Sequence, residues 1–489
     1  MKIEHFLEKN EIREVTIFKQ LVLNGGKLSY AVMLNYLAVA KASLDKDLES
    51  ISFRIQTLAD QVSVNYDGQY ISLTMSDEFS LKQIYQLYLN QSVKVKLINF
   101  LFEHQEFSII QLAQKLMISD SSLFRKIKEL NSYLKEFGIK IRNGQLQGEE
   151  LNIRYFYFQF YSYIEDKEAL IASHSDKQIT QMVQAVESFL HVTIEPESRQ
   201  RLDVWMLISK NRVKHKEKKY ARLREQMQPY LEDTLYQKIR IMVLRYFSRY
   251  SIEVDEEEAM LHFAFLLAFP ILTEHDFHEY TLERDRRAPI ATMDTYIVET
   301  IIIHYKFRRL PYMLERDMYY HLSHIHTKLY FFQGDIEVYD YEEILDKEKE
   351  FTGRNLISFA HTLLSISTDK FGIKKVEDNS LLKMELLKYI SLLAIVSFKM
   401  TTIVQIGIDL KMENIYTETL NQLLILNMRH INGIRVEACQ PNKVYDLILT
   451  NEQPTQMDHY GDAKVYVLSE ILSSFDMKNI QRIVQQLNP

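Results

Sequence analysis

The spacing of apolar residues changes character several times along the chain, and the clearest such passage lies between residues 107 and 148. Ser108 precedes a short periodic stretch, 109–116, and its hydroxyl is suited to accept a hydrogen bond from a first-turn N–H, which predicts a capped helix. A four-residue turn, 117–120, follows. Asp120 is the predicted cap of a second helix in which Leu123, Ile127, Leu130 and Leu134 recur at intervals of three and four, so that one face turns inward. Ser122, Arg125, Lys126 and Glu129 are assigned to the opposite face. Beyond Phe137 and Gly138 the period drops to two: Ile139 and Ile141 flank Lys140, Asn143-Gly144 has the residues of a type I′ turn, and 145–147 returns. A small β-hairpin is expected there.

Helix, turn, helix and hairpin in this order predict a winged helix-turn-helix, which lays the start of its second helix against base edges in the DNA major groove. Ser121, Ser122, Arg125 and Lys126 stand where such contacts arise. Hydroxyls serve bases or phosphates, Arg125 has the fork that fits guanine, and Lys126 and Lys128 suit phosphate; Lys140 and Arg142 on the hairpin would add phosphate contacts. The same pattern also suits a plain three-helix unit whose charges merely face water.

Residues 12–75 read as a second copy. Val15, Phe18, Leu21 and Val22 give a first helix closed by Asn24-Gly25-Gly26, Ser29 caps a second helix reaching Leu37, and Ser43 caps a third with Leu44, Leu48, Ile51 and Ile55 inward. Alternating strands flank Asp67-Gly68. This third helix opens with Asp45, Lys46, Asp47 and Glu49, and acidic groups there would be repelled by phosphate, so the domain is expected to support or position its neighbour. One helix, 80–99, should link the copies. The aromatic run 151–164 has helical spacing and is expected to serve core or interdomain packing rather than to stack on bases.

From about 166 to 395 the pattern is nearly all helical and divides near 282–291 into two units of similar length. The first carries Trp205, Lys210, Arg212 and His215, then His262 in an apolar helix; the second carries His304, His321, His324, His326 and His361. Imidazole is a common metal ligand, but His326 turns away from His321 and His324 on a helix and no acid stands at a zinc-motif offset, so no metal or cofactor is expected. The alternatives are ordinary surface or half-buried histidines, and acceptors of a phosphoryl group, since imidazole nitrogen is nucleophilic near neutral pH and the charged product can rearrange an interface.

After about 396 strands are predicted at 401–408, 434–439, 445–450 and 464–468, with helices at 415–428 and about 474–487, which is the pattern of a small parallel α/β domain. Its loop 409–414 lies where such folds bind anions but has no glycine-rich cradle. The fold class is thus mainly α and multidomain, with expected domains 1–79, 80–165, 166–285, 286–395 and 396–489.

Bulk properties narrow the picture. A chain of 489 residues is too long for one core, and with only 12 Gly and 8 Pro it should be dominated by long helices. Net charge is −7, so any affinity for nucleic acid must come from a local patch. The single Cys439 excludes an internal disulfide framework and a cysteine-rich zinc site. The first ten residues lack an apolar signal-peptide core, and the run 263–272 is too short for a bilayer and contains Pro270, so a soluble cytoplasmic protein without a membrane partner is expected. No nucleophile–base pair, metal triad or phosphate loop emerges, which argues against an enzyme.

The layout resembles that of the Mga, AtxA and RofA-like virulence regulators of Gram-positive bacteria. LYLNQSVKVKLINFLFEHQEFSIIQLAQKLMISDSSLFRKIKELNSYL (87–134) and GEELNIRYFYFQFY (148–161) carry the resemblance. It implies two winged helix-turn-helix domains, the second more important for binding promoter DNA, then two all-helical phosphotransferase regulation domains and a C-terminal domain similar to the sugar-transport component EIIB. It also implies a homodimer involving the C-terminal domain, and histidines modified by phosphocarrier proteins of the sugar phosphotransferase system. His215 is then the candidate in the first regulation domain and His321, His324 and His326 are those in the second, with His262 as a further alternative. A phospho-accepting EIIB has a cysteine just after its first strand; residues 407–410 contain none, so the terminal domain should serve interaction or sensing. RNA-binding antiterminators with the same regulation domains are the alternative, although they begin with a β-rich module.

Overall fold

A computed structural model of the protein describes residues 1–163, 177–215, 217–248, 254–337, 341, 356–373, 379–400, 403–429, 431, 433–440, 443–453, 460–470 and 473–487. The chain divides into two compact units, 1–390 and 391–489.

In the first unit α1 (Lys9–Leu23) turns Val15, Ile17, Phe18 and Leu21 inward. It ends where Gly25 and Gly26 take positive φ, a region open to glycine because it has no Cβ. Next come β1 (Lys27–Ser29) and α2 (Tyr30–Leu37), whose cap is the expected Ser29, its hydroxyl accepting from the Val32 N–H. The third helix, α3 (Lys41–Arg54), starts earlier than its sequence suggested: Ala40 holds the cap position and Ser43 lies inside the helix. β2 (Val62–Tyr66) and β3 (Tyr70–Met75) form the hairpin across Asp67-Gly68, and β1, not anticipated, adds to β3. Two of the acids that made α3 look repellent to phosphate are engaged internally. Asp47 is buried against Arg13 at 2.8 Å, and Asp45 accepts from the Tyr30 hydroxyl at 2.6 Å.

The expected linker helix is two helices, α4 (Leu81–Gln91) and α5 (Val93–His104), because Ser92 takes an extended conformation between them. Its hydroxyl caps α5 through the Val95 N–H and donates to the Phe6 carbonyl at 2.5 Å, so the break is a fixed anchor point. The second winged helix-turn-helix, called the reader for the role expected of it, follows: α6 (Ile109–Lys115), α7 (Asp120–Leu134), β4 (Lys140–Arg142) and β5 (Gln145–Gln147). It leads into α8 (Glu150–Tyr163), in which every side chain from Glu150 to Tyr161 is buried. A helix buried on all sides must be surrounded, and its polar groups must find partners inside. Phe102 lies 5.0 Å from Tyr157, Phe332 lies 4.5 Å from Tyr155 and Phe265 lies 4.9 Å from Phe158, ring centre to ring centre, so the aromatic run does pack between elements. Ile164 and the expected boundary at 165/166 lie outside the described residues.

The helical body comprises α9 (Lys177–Leu190), α10 (Pro196–Arg212), α11 (Ala221–Met227), α12 (Thr234–Ser248), α13 (Glu257–Ala268), α14 (Glu274–Glu283), α15 (Pro289–His304), α16 (Tyr312–Phe331), α17 (Leu356–Lys370) and α18 (Ser380–Met400), the last crossing the division between units. The junction read from sequence falls between α14 and α15, where Pro289 takes the first helical turn, a position that needs no N–H partner. One apolar core runs from both winged domains through α8 into the body.

The second unit is an all-parallel sheet of β6 (Val404–Asp409), β7 (Ile434–Ala438), β8 (Leu447–Thr450) and β9 (Lys464–Val467), in the order β7-β6-β8-β9, with α19 (Asn414–Met428) and α20 (Ser474–Leu487). Ile406, Ile408, Leu447 and Leu449 pack with Leu424 and Met428 of α19 and with Ile480 and Val484 of α20. Residues 401 and 402 of the expected first strand lie outside the described residues. Among the described residues no helix is long and apolar enough to cross a membrane.

Candidate nucleic-acid interface

Ser108 caps α6 as its sequence predicts, accepting from the Gln111 N–H. The helix ends because Met117 adopts a left-handed backbone, φ +54°, with the Ile118 N–H reaching back to the Ala113 carbonyl at 3.0 Å. The cap of α7 is Ser119 rather than Asp120: the Ser119 hydroxyl accepts from the Ser122 N–H at 3.2 Å. Asp120 occupies the first turn instead, where its charge suits the positive end of the helix dipole. Leu123, Leu130 and Leu134 are buried and Ile127 is half-buried. Asn131 fixes the wing to this helix, its amide bonding both the carbonyl and the N–H of Ile141, at 2.9 and 2.6 Å. At the wing's tip Asn143 and Gly144 both have positive φ, as a type I′ turn requires. A Cβ on Gly144 would lie 2.0 Å from the Phe107 carbonyl, so no side chain fits there.

On the other side of α7, Ser121, Phe124, Arg125 and Lys128 are exposed. Their spacing of three and four residues aligns them in one strip, with Ser122 half-buried at its edge. Lys140 and Arg142 are exposed at alternate positions of β4, so they share a face of the wing while Ile141 points inward. Lys126 does not belong to this surface. It lies three residues after Leu123 and four before Leu130, hence on the inner stripe, and it is buried with its ammonium paired to Glu8 of the N-terminal domain. Phe124, apolar and so not marked by the polar pattern, falls outside the leucine stripe and between the polar positions. It is 57% exposed, and a phenyl ring at such a place can meet a thymine methyl group.

Residues 77–161, which take in the reader and most of α8, match the family model described as the Mga helix-turn-helix domain. Two curated relatives are similar in sequence. One is the capsule synthesis positive regulator AcpB of Bacillus anthracis, 29% identical over 126 residues, which are 25% of this chain and 26% of AcpB. The other is a putative trans-acting regulator of Streptococcus pneumoniae, 22% identical over 159 residues, 32% of this chain and 31% of the relative. By this domain and these two matches the chain is similar to the Mga/AtxA-like regulators. Its matches span between a quarter and a third of the length of these relatives.

The Mga-type domain is joined to the body by a buried charge network that sequence patterns gave no reason to expect. Arg154 of α8, with no exposed surface, donates to both oxygens of Glu258 on α13, at 2.8 and 2.7 Å, and to Glu150 at 2.9 Å. Arg212 at the end of α10 grips both oxygens of Glu150, at 3.1 and 2.7 Å. Burial works against both carboxylates, but the arginines outweigh it: Glu150 is held below its usual range and Glu258 at about 2. A second junction is purely steric. Gly334, just past α16, lies so close to the turn after α7 that a Cβ would sit 2.8 Å from the Phe137 ring and 3.0 Å from the Glu136 backbone.

The structure sorts the candidate histidines by access. His215 is half-buried after α10, its Nδ1 accepting from the Glu217 N–H, and burial together with the neighbouring Arg212 charge lowers its pKa. His321 is exposed on α16. The other three are enclosed and cannot meet a phosphoryl donor in this conformation. His262 accepts at Nδ1 from the indole N–H of Trp205, 3.0 Å away, and burial drops its pKa to about 4. His324 packs edge-on to Tyr320, and burial, followed by the Lys388 and His321 charges, brings it to about 3. His326 has both ring nitrogens occupied, Nδ1 by Asp294 at 2.6 Å and Nε2 by the Tyr389 hydroxyl at 2.8 Å. Among the described residues no cluster of His, Cys, Asp or Glu is arranged to hold a metal ion.

At the carboxyl end of the second unit's sheet, Asp409 accepts from the Tyr460 hydroxyl at 2.6 Å and pairs with Lys411 at 2.8 Å. Burial and then Asp409 raise the Cys439 thiol, the reverse of what a nucleophilic thiolate needs.

Proposed function

We propose that this chain is a DNA-binding transcriptional regulator of the cytoplasm whose second winged helix-turn-helix reads duplex promoter DNA. The observation that carries the reading is the exposed strip of Ser121, Phe124, Arg125 and Lys128 on a helix whose other side is sealed by Leu123, Leu130 and Leu134. Arg125 is suited to a guanine edge, Ser121 and Ser122 to bases or phosphates, and Lys128, Lys140 and Arg142 to phosphates. The names of its relatives, a capsule regulator and a trans-acting regulator, agree with such a role.

Modulation is assigned to histidine phosphorylation by phosphotransferase-system carriers, and His215 and His321 are the acceptors this conformation leaves within reach. A homodimer through the terminal unit is supported by α19, on which Tyr416, Leu423 and Leu426 are exposed apolar residues at helical spacing. The protein works by binding, and no catalytic step is ascribed to it.

The test is anisotropy titration of duplexes taken from upstream of its own and neighbouring genes, with hairpin RNA alongside. Duplex should bind more tightly than hairpin RNA, and Arg125→Ala should weaken the preferred duplex by about 1–3 kcal/mol. Unchanged affinity in Arg125→Ala, or preference for the RNA hairpin, refutes the reading.

A further inference from the structure

Between the wing, the end of α7 and Lys219 lies a cleft of about 570 Å³. Among the described residues four cations line it, Lys135, Lys140, Arg142 and Lys219, and no carboxylate does. Like charges gathered round one cavity repel one another, and an anion placed among them relieves that repulsion. Three of the four come from the reader. Lys219 comes from the helical body, 77 residues beyond Arg142, and nothing in the helix-turn-helix pattern points to it.

Its position is not accidental to a loose loop. The Lys219 carbonyl accepts from the Glu150 N–H at 2.9 Å, which ties the segment to the start of α8. The preceding Lys218 turns the other way, its ammonium 3.0 Å from the Val213 carbonyl and 3.2 Å from Glu258. One lysine is therefore anchored in the buried network while the next is presented, exposed, to the cleft. With its backbone held in place beforehand, only the side chain of Lys219 has to be ordered when a partner arrives.

We infer that this cleft seats a phosphodiester of the DNA backbone beside the wing, with Lys219 of the helical body and Lys135 as contacts in addition to Lys140 and Arg142. The inference rests on the DNA-binding reading above. It makes the body part of the DNA-binding surface, and it places that contact four residues from His215, so a phosphoryl group on His215 would lie near a cation the DNA needs.

The experiment measures duplex affinity of the full chain across 50 to 200 mM salt for wild type, Lys219→Ala, Lys219→Arg and Arg125→Ala. A lost phosphate contact reduces the log–log salt slope by roughly 0.9, so the ratio of wild-type to Lys219→Ala affinity should shrink roughly 3- to 4-fold over that range. The loss should be the same for preferred and unrelated duplexes, whereas Arg125→Ala should erase the preference. Lys219→Arg should restore the slope, separating charge from damage to the segment. If wild type binds with a steep slope and Arg125→Ala weakens it while Lys219→Ala changes nothing, the cleft is overturned and the reader stands. If Lys219→Arg is as impaired as Lys219→Ala, the cleft is likewise overturned. If wild type binds no duplex, cleft and reader fall together.

Discussion

Replacing Arg154 by Met removes the centre of the network that joins α8 to the body. The side chain has no exposed surface and makes three short charge-assisted bonds, two to Glu258 and one to Glu150. Taking away one partner of a buried pair leaves an uncompensated charge, at a cost of about 3–5 kcal/mol. Compensation is uneven here. Glu150 keeps both bonds to Arg212, while among the described residues Glu258 keeps Lys218 at 3.2 Å and Tyr220 at 3.4 Å, so the lower end, about 3 kcal/mol, is expected. Removing both partners, Arg154→Met with Glu258→Leu, leaves Glu150 with Arg212 and Lys218 with Asp255, and the double variant should regain at least about 2 kcal/mol of that loss. Trp205, the single tryptophan, is a built-in reporter: it is buried and bonds His262, one helical turn beyond Glu258. Denaturant unfolding followed by its fluorescence measures all three proteins. A transition for Arg154→Met within about 0.5 kcal/mol of wild type, the range of ordinary surface changes, would refute the account of the network.

Three further outcomes are expected. Lys126→Met should leave duplex affinity within about twofold of wild type, because the ammonium pairs with Glu8 and not with the outer surface, while loosening the N-terminal domain by up to about 1 kcal/mol in the same unfolding assay. Met117→Gly should stabilise by about 1 kcal/mol in thermal melts, since Met117 is 93% exposed at φ +54° and gives up no packing to a residue that favours that backbone. Acid should destabilise the body before carboxylates titrate. His262 and His324 are held neutral in the fold, at about 4 and about 3 against 6.5 when unfolded. Their stabilising contribution is complete above pH 6.5 and erodes as pH falls from 6.5 toward 4, because the unfolded chain takes up the protons first. Near pH 5 the slope should approach roughly 2.7 kcal/mol per pH unit, and His324→Phe should about halve it in a pH series of melts.

Much of the reader was legible because its determinants are close in sequence. The leucine stripe of α7, the Ser108 cap and the Asn143-Gly144 turn each act within a few residues, and the terminal sheet announced itself through short apolar runs separated by turns. What failed to show depends on distant partners. Glu8 lies 118 residues from Lys126, and Glu258 lies 104 residues from Arg154; no local period records either meeting. The break at Ser92 was missed for the same reason, since the carbonyl of Phe6 that holds it is 86 residues away. Histidine access was equally hidden. His321 and His326 are five residues apart on one helix, yet one faces water and the other is bonded at both nitrogens by α15 and α18.

The contact at Gly334 has a consequence for how sequences of this kind can change. With no room for a methyl group between that backbone and the Phe137 ring, the turn that closes α7 is braced directly against the bundle, as a key is held by the hand. If α7 meets DNA as proposed, substitutions in the bundle remote from any nucleotide would bear on how its exposed strip is presented.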